Sequence, residues 1–203
     1  LDAAEAEAEA EAGEADERDS DYSSDVSAEE EEAFFTACSE GDVGTLQRLL
    51  DAKAAEVNVA DMEEGDTPLG VACRFGHYEA TLWLAEHGAV LDRPNHAGET
   101  PLHECCLRGH LTIVEWLLAK LPSETVRLRT QSGMTALAFA CLHGHLEVCA
   151  LLHAAGASIE ARDDAGHSLL HLACCNGHVG VAEWILRAGG AGAGAGAGVV
   201  DVR

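Results

Sequence analysis

Four Gly-His pairs set the frame of this chain. Gly76-His77, Gly109-His110, Gly144-His145 and Gly177-His178 follow one another at intervals of 33, 35 and 33 residues. The runs Gly65-Asp66-Thr67-Pro68-Leu69, Gly98-Glu99-Thr100-Pro101-Leu102, Gly133-Met134-Thr135-Ala136-Leu137 and Gly166-His167-Ser168-Leu169-Leu170 keep the same intervals. A fixed period near 33 is the mark of stacked repeats, each too small to bury its own apolar face. Gly41-Asp42, 35 residues before Gly76, anchors a fifth, degenerate unit.

Each unit reads locally as two helices. Thr100 suits an N-cap and Pro101 the first helical residue, where a missing N–H costs nothing. The helix that follows runs through Leu102 and Cys105-Cys106 and stops at Gly109, a suitable left-handed terminator. Leu111, Val114, Leu117, Leu118 and Leu121 then recur at the spacing of one helical face. Gly88 and Gly156 close the equivalent second helices of their units.

The composition is uneven. Of 36 acidic residues, fifteen lie in residues 1–32, against a single base, Arg18. A net charge of −24 argues against nucleic acid as a partner. No apolar run approaches the roughly 18 residues that a membrane helix needs, so no membrane insertion is expected. Residues 1–32 read as a disordered acidic tail and residues 189–203 as a flexible Gly/Ala-rich tail. Between them, 33–188 divides into units at about 33–60, 61–93, 94–128, 129–161 and 162–188. The chain starts at Leu1, so no targeting peptide can be read from it.

The run Gly98-Glu99-Thr100-Pro101-Leu102-His103, followed by Gly109-His110 and Val114-Glu115-Trp116-Leu117-Leu118, resembles an ankyrin repeat. Gly65 to Ala89, Gly133 to Ala157 and Gly166 to Gly189 resemble it in phase. The resemblance implies an all-α ankyrin-repeat solenoid of about five helix-turn-helix repeats. It also implies a non-catalytic module that binds a protein or peptide, inside the cell, in cytoplasm or nucleus. Departures are local. Phe34 to Asn58 lacks the Gly-x-Thr-Pro-Leu loop and reads as an N-terminal cap. Leu121-Pro122 stands where the family has Gly-Ala. After Ile185 and Leu186 no polar C-terminal cap is visible.

Eight Cys and eleven His invite a metal reading. Yet Cys38, Cys73, Cys106, Cys141 and Cys174 all lie three residues before a turn glycine, at one repeat position that the family fills with a small buried residue. They are expected to form a buried ladder, with Cys149 also in the core and Cys175 the better candidate for an exposed thiol. No Cys-x-x-Cys pair occurs. His77, His110, His145 and His178 follow turn glycines, and His103 and His171 sit where the family ties down a helix start. All six read as structural; His87, His96, His143, His153 and His167 read as surface. Trp83, Trp116 and Trp184, with Leu151 in phase, read as packing between repeats. No nucleophile-base pair and no phosphate loop appears, so no catalytic residue, cofactor or metal is expected.

By the resemblance, a partner would bind along the loop tips and the exposed ends of the first helices. The tips supply Glu63, Asp66, His96, Glu99, Gln131, Met134, Asp164 and His167. The helix ends supply Arg74, Phe75, Leu107, Arg108, Leu142, His143 and Asn176. Acidic tips favour a partner with basic segments. Arg74, Arg108 and His143 form a cationic row on which the acidic tail could fold back. A monomer is expected. The alternative role is a regulatory or targeting fragment of a larger enzyme or channel.

Overall fold

The computed structural model of the chain describes residues 25–53 and 55–192; the sequence predictions for 1–24 and 193–203 lie outside them. The described residues form ten α-helices: α1 (Asp25–Glu40), α2 (Val43–Asp51), α3 (Pro68–Phe75), α4 (Tyr78–Glu86), α5 (Pro101–Arg108), α6 (Leu111–Lys120), α7 (Ala136–His143), α8 (Leu146–Ala154), α9 (Leu169–Cys175) and α10 (Val179–Gly192). They pair as five repeats. The odd-numbered helices stack in one layer, α1 on α3 on α5 on α7 on α9, and the even-numbered helices stack behind them in a second. The result is an all-α solenoid with one continuous core, from Phe34 and Leu46 to Val181 and Ile185.

The helix bounds differ from the expected tail boundaries. α1 starts at Asp25, inside the segment read as a tail, and α10 runs to Gly192. Ala and Glu are good helix formers, and carboxylates in a first turn complement the helix dipole. Stacking on the next repeat supplies what that local propensity lacks alone. In the third repeat, Leu121-Pro122 ends α6 and a short 3-10 helix, Ser123–Arg127, takes up the two extra residues.

Helix starts follow the capping logic of the sequence. The Thr67, Thr135 and Ser168 hydroxyls accept the backbone N–H three residues on. Thr100 goes further: its N–H and its hydroxyl both donate to His103 Nδ1, at 3.2 and 2.8 Å, which closes the box. The other ring nitrogen, Nε2, donates to the Leu128 carbonyl at 3.3 Å. His103 is therefore held neutral, and burial pushes its pKa down to about 4 despite the Leu128 bond.

The Gly-His pairs are a seam between repeats. His77, His110, His145 and His178 donate from Nε2 to the carbonyls of Ser39, Arg74, Leu107 and Leu142, at 2.8–3.1 Å. Each of those carbonyls belongs to the preceding repeat. Each ring lies against the turn glycine of that repeat: a Cβ on Gly41, Gly76, Gly109 or Gly144 would sit 2.4–2.6 Å from ring atoms. These glycines also hold φ near +80° (Gly76 +80°, Gly109 +79°, Gly144 +81°), which L-residues resist. Gly-His thus joins two needs, a left-handed helix terminator and a socket for the neighbour's ring.

The cysteine ladder holds for four rungs. Cys38, Cys73, Cys106 and Cys141 are buried, as is Cys149, 3.6 Å from Cys141 between sulfurs. Burial pushes the Cys38 thiol up to about 12 and Cys106 well above its ordinary value. Cys174, expected as the fifth rung, is exposed. His171, expected to tie down α9 as His103 ties α5, is also exposed, its ring stacked on His167 at 4.7 Å. Both face the end of the described array, where no following repeat lies over them. Trp83, Trp116, Leu151 and Trp184 are half-buried against the core, in keeping with packing between repeats.

Candidate partner-binding surface

The loops between repeats are hairpins whose tips line up. Each is closed by a backbone bond, Asp61 to Asp66, Asn95 to Glu99, Thr130 to Met134 and Asp163 to His167, and the last three add a second from Gly98, Gly133 and Gly166. Neighbouring tips are joined by one backbone-to-backbone rung: His96 N–H to Glu64 O, Gln131 N–H to Ala97 O and Asp164 N–H to Ser132 O. The first hairpin is one residue longer than the others. Its Asp61 carboxylate gathers that extra length by accepting N–H bonds from Glu63, Glu64, Gly65 and Asp66 at 2.7–3.2 Å. Burial raises the Asp61 pKa, but the four bonds outweigh it and hold the group below the usual carboxylate range. Met62, at this tip, is 94% exposed. Sequence reasoning missed Met62; its signal was the extra residue in Asp61-Met62-Glu63-Glu64-Gly65 relative to the later loops.

Two of the expected contact residues turn inward. Asp66 is buried, and its carboxylate takes Asn95 Nδ2 at 2.9 Å and pairs with Arg74. Arg74 forks onto Glu104, Nε to Oε2 at 3.0 Å and Nη2 to Oε1 at 2.8 Å, and reaches Glu64 at 3.3 Å. Its guanidinium is thus surrounded by three carboxylates, with the Glu104 hydrogen bonds the main reason its pKa rises. Arg74 is a half-buried tie between repeats, not the free cation expected of a row. Glu104, only 3% exposed on α5, was not singled out in the sequence. A lone acid in the otherwise apolar stretch Leu102-His103-Glu104-Cys105-Cys106 was the available signal, because a carboxylate there demands a partner. Burial and then the Glu104 charge raise the Glu99 pKa, so carboxylates outnumber the single guanidinium here.

The remaining expected residues spread along the row and the tips. Phe75, at the end of α3, is 54% exposed. Leu107 and Leu142 are half-buried beside exposed Arg108, His143 and Asn176. Among the described residues Arg108 pairs with no carboxylate. His143 is shifted down, by burial first and then by His145, His178 and Arg108. Glu63 and His96 are exposed tip residues. Gln131 Nε2 donates to the His96 carbonyl at 2.6 Å, Met134 packs on the core, Asp164 pairs with Arg129 at 2.9 Å, and His167 bonds Asp163 at 2.9 Å.

The family model for ankyrin repeats (three copies) matches this chain at residues 17–95, 34–126 and 121–194. The chain belongs to the ankyrin repeat family. Ankyrin repeats are generally protein–protein interaction modules, and ankyrin proteins are generally non-catalytic. Among curated proteins, human "Ankyrin repeat domain-containing protein 63" is 35% identical over 100 residues. That match covers 48% of this chain and 26% of the relative, so the chain spans about a quarter of that ankyrin protein. Among the described residues of this ankyrin array, no group of three or more His, Cys, Asp or Glu is placed to hold a metal ion. None of its described helices is long and apolar enough to cross a membrane.

Proposed function

We propose that the array binds a partner protein or peptide along the ends of α3, α5, α7 and α9 and the adjoining tips, and that the partner presents basic side chains around an apolar one. The apolar contacts are Phe75, Leu107, Leu142 and, at the first tip, Met62. Glu63, Glu64 and Glu99 supply the charge that draws the partner, and Arg108, His143 and Asn176 extend the row toward the last repeat. His96, Gln131, Met134, Asp164 and His167 form the rim. One observation carries this reading. Arg74, next to Phe75 in α3, is already consumed by Asp66, Glu104 and Glu64, which leaves Phe75 and Met62 exposed on elements where carboxylates outnumber the one guanidinium. Exposed aromatic anchors ringed by charge are the usual centre of a binding surface. The unpaired thiols fit a reducing, intracellular compartment.

Selection of displayed random peptides on the array tests this. Enriched peptides should carry Lys or Arg flanking a large apolar residue. Their affinity should fall at least about tenfold on Phe75→Ala and weaken as salt rises. Enrichment of acidic peptides, or binding indifferent to Phe75→Ala, would overturn the proposal.

A further inference from the structure

We propose that a cavity between repeats three and four binds a carboxylate, and that its occupant is an Asp or Glu side chain from residues 1–24 of this chain. The cavity measures about 180 Å³ and lies against the end of the short 3-10 helix, Ser123–Arg127. Val126, Ala157 and Ala161 give it apolar walls, Arg127, Arg129 and Ser158 give it polar ones, and no carboxylate lines it. The same place between repeats one and two is filled. There Asn58, three residues before Asp61, donates from Nδ2 to the Gly88 carbonyl at 3.0 Å and accepts the Val90 N–H on Oδ1 at 2.8 Å. Arg127 holds that position three residues before Thr130, and Gly156 and Ser158 stand for Gly88 and Val90. Arg127 brings a donor to the glycine: its Nη2 lies 4.0 Å from where a Cβ on Gly156 would stand. It brings no acceptor, and among the described residues the Ser158 N–H meets none. What the cavity lacks is an oxygen. Two guanidiniums on its wall make a carboxylate the oxygen that fits best. Among the described residues Arg127 pairs with no carboxylate, while Arg129 is shared with Asp164.

Charge and reach select the occupant. At −24, the chain repels a free acidic partner. Residues 1–24 hold ten acids against Arg18 alone, and they are joined to α1, so their encounter with the cavity is intramolecular. Thr135, the N-cap of α7, also lines the cavity. α1 stands three steps from α7 in the odd-numbered layer, about 30 Å at the usual helix spacing. A chain of 24 residues spans up to about 80 Å, so it covers that distance with slack. A docked carboxylate accepts from the Ser158 N–H and the Arg127 guanidinium together, as Asn58 accepts from Val90. None of the lining residues belongs to the contact row around Phe75.

NMR of the full chain at low salt tests the inference, against a full chain whose ten acids in residues 1–24 are replaced by Asn or Gln. A carboxylate bond moves an amide proton downfield, so the Ser158 N–H should resonate downfield in the native chain relative to the neutralised one. Arg127→Gln, at an exposed site, should bring the native signal to the neutralised position with the helical circular dichroism retained, and added salt should do the same. Arg48→Gln, an exposed cation on α2 and nearer the root of the segment, should leave the signal where it is. Free glutarate should move the Ser158 signal of the neutralised chain downfield, and should move that of the native chain less. Equal Ser158 positions in the native and neutralised chains overturn the proposal. So does a native signal unmoved by Arg127→Gln or abolished by Arg48→Gln. Glutarate acting equally on both chains overturns it too, because the cavity is then a carboxylate site without residues 1–24 in it.

Discussion

Arg74 shows how much one side chain's surroundings change its meaning. From the sequence it is a basic residue one position before an exposed aromatic. In the structure it is the only cation among Glu64, Asp66 and buried Glu104, and it ties repeat two to repeat three. Removing one member of such a pair leaves the others buried and unbalanced. Arg74→Met keeps the packed stem and should cost about 2–4 kcal/mol in urea melts, somewhat below the loss at a fully buried pair because Arg74 is half-buried. Adding Glu104→Met should restore part of that loss, and a double-mutant cycle measures how much. His103 makes a second residue-scale case. Its folded pKa, about 4, lies below the ordinary histidine value, so the unfolded chain binds the proton first. Stability is then complete above about pH 6.5 and declines as pH falls toward 4. Between pH 7 and pH 5 the loss from this one group should be about 2 kcal/mol, and His103→Asn should remove that slope. A ring that titrates by NMR near its ordinary value would show that the buried box opens.

At the scale of elements, the helices and their turns were legible because their causes are local. Thr100, Pro101 and Gly109 each act on the backbone within one helical turn, and the period repeats that grammar, with Ala or Leu in place of Pro in two units, four times. The hairpin tips were less so. Asp61 organises the first tip through four backbone bonds, and nothing in the sequence separates it from the other acids of Asp61-Met62-Glu63-Glu64. Asp61→Ala should release the loop without melting the helices. Amide exchange at Glu63, Glu64, Gly65 and Asp66 should speed up, and stability should fall by about 1–2 kcal/mol, the range for a lost carboxylate cap. Exchange unchanged at those amides would mean that the rung from His96 to Glu64 holds the tip by itself. The start of α1 was misplaced for a related reason. An acid-rich stretch with no apolar face reads as a tail, and only its continuity with Phe34 and Ala37, which pack on the core, carries the helix back to Asp25.

For the whole molecule, the repeat order, the two layers and the buried cysteine ladder could be read from phase alone, because each repeat meets its neighbour in the same way. What phase could not supply were the contacts that break it. Arg74 and Glu104 lie thirty residues apart rather than a full period, so aligning repeats never puts them side by side. Cys174 and His171 are in phase with buried partners and are exposed all the same, because burial depends on a neighbour as well as on register. Of the candidate contact row, Phe75, Arg108, His143 and Asn176 are exposed, while Arg74 is held by buried Glu104 and Asp66 is held in turn by Arg74 and Asn95. The charge follows the same division. Asp66 and Glu104 are bound up with Arg74 in the tie between repeats two and three, while Glu63 stays exposed at the first tip.

The seam of histidine rings and turn glycines bears on how such a chain can lengthen or shorten. Every junction offers a glycine socket on one side and a ring on the other, so any repeat can follow any other without new chemistry at the joint. Excising residues 110–144 would place His145 directly after Gly109, recreating the Gly-His step and presenting that ring to the socket at Gly76. A cut that removed His145 as well would leave the Gly76 socket without its ring. Whole units can thereby be duplicated or deleted in frame across this seam, while small insertions are confined to loops away from it, as at Ser123–Arg127.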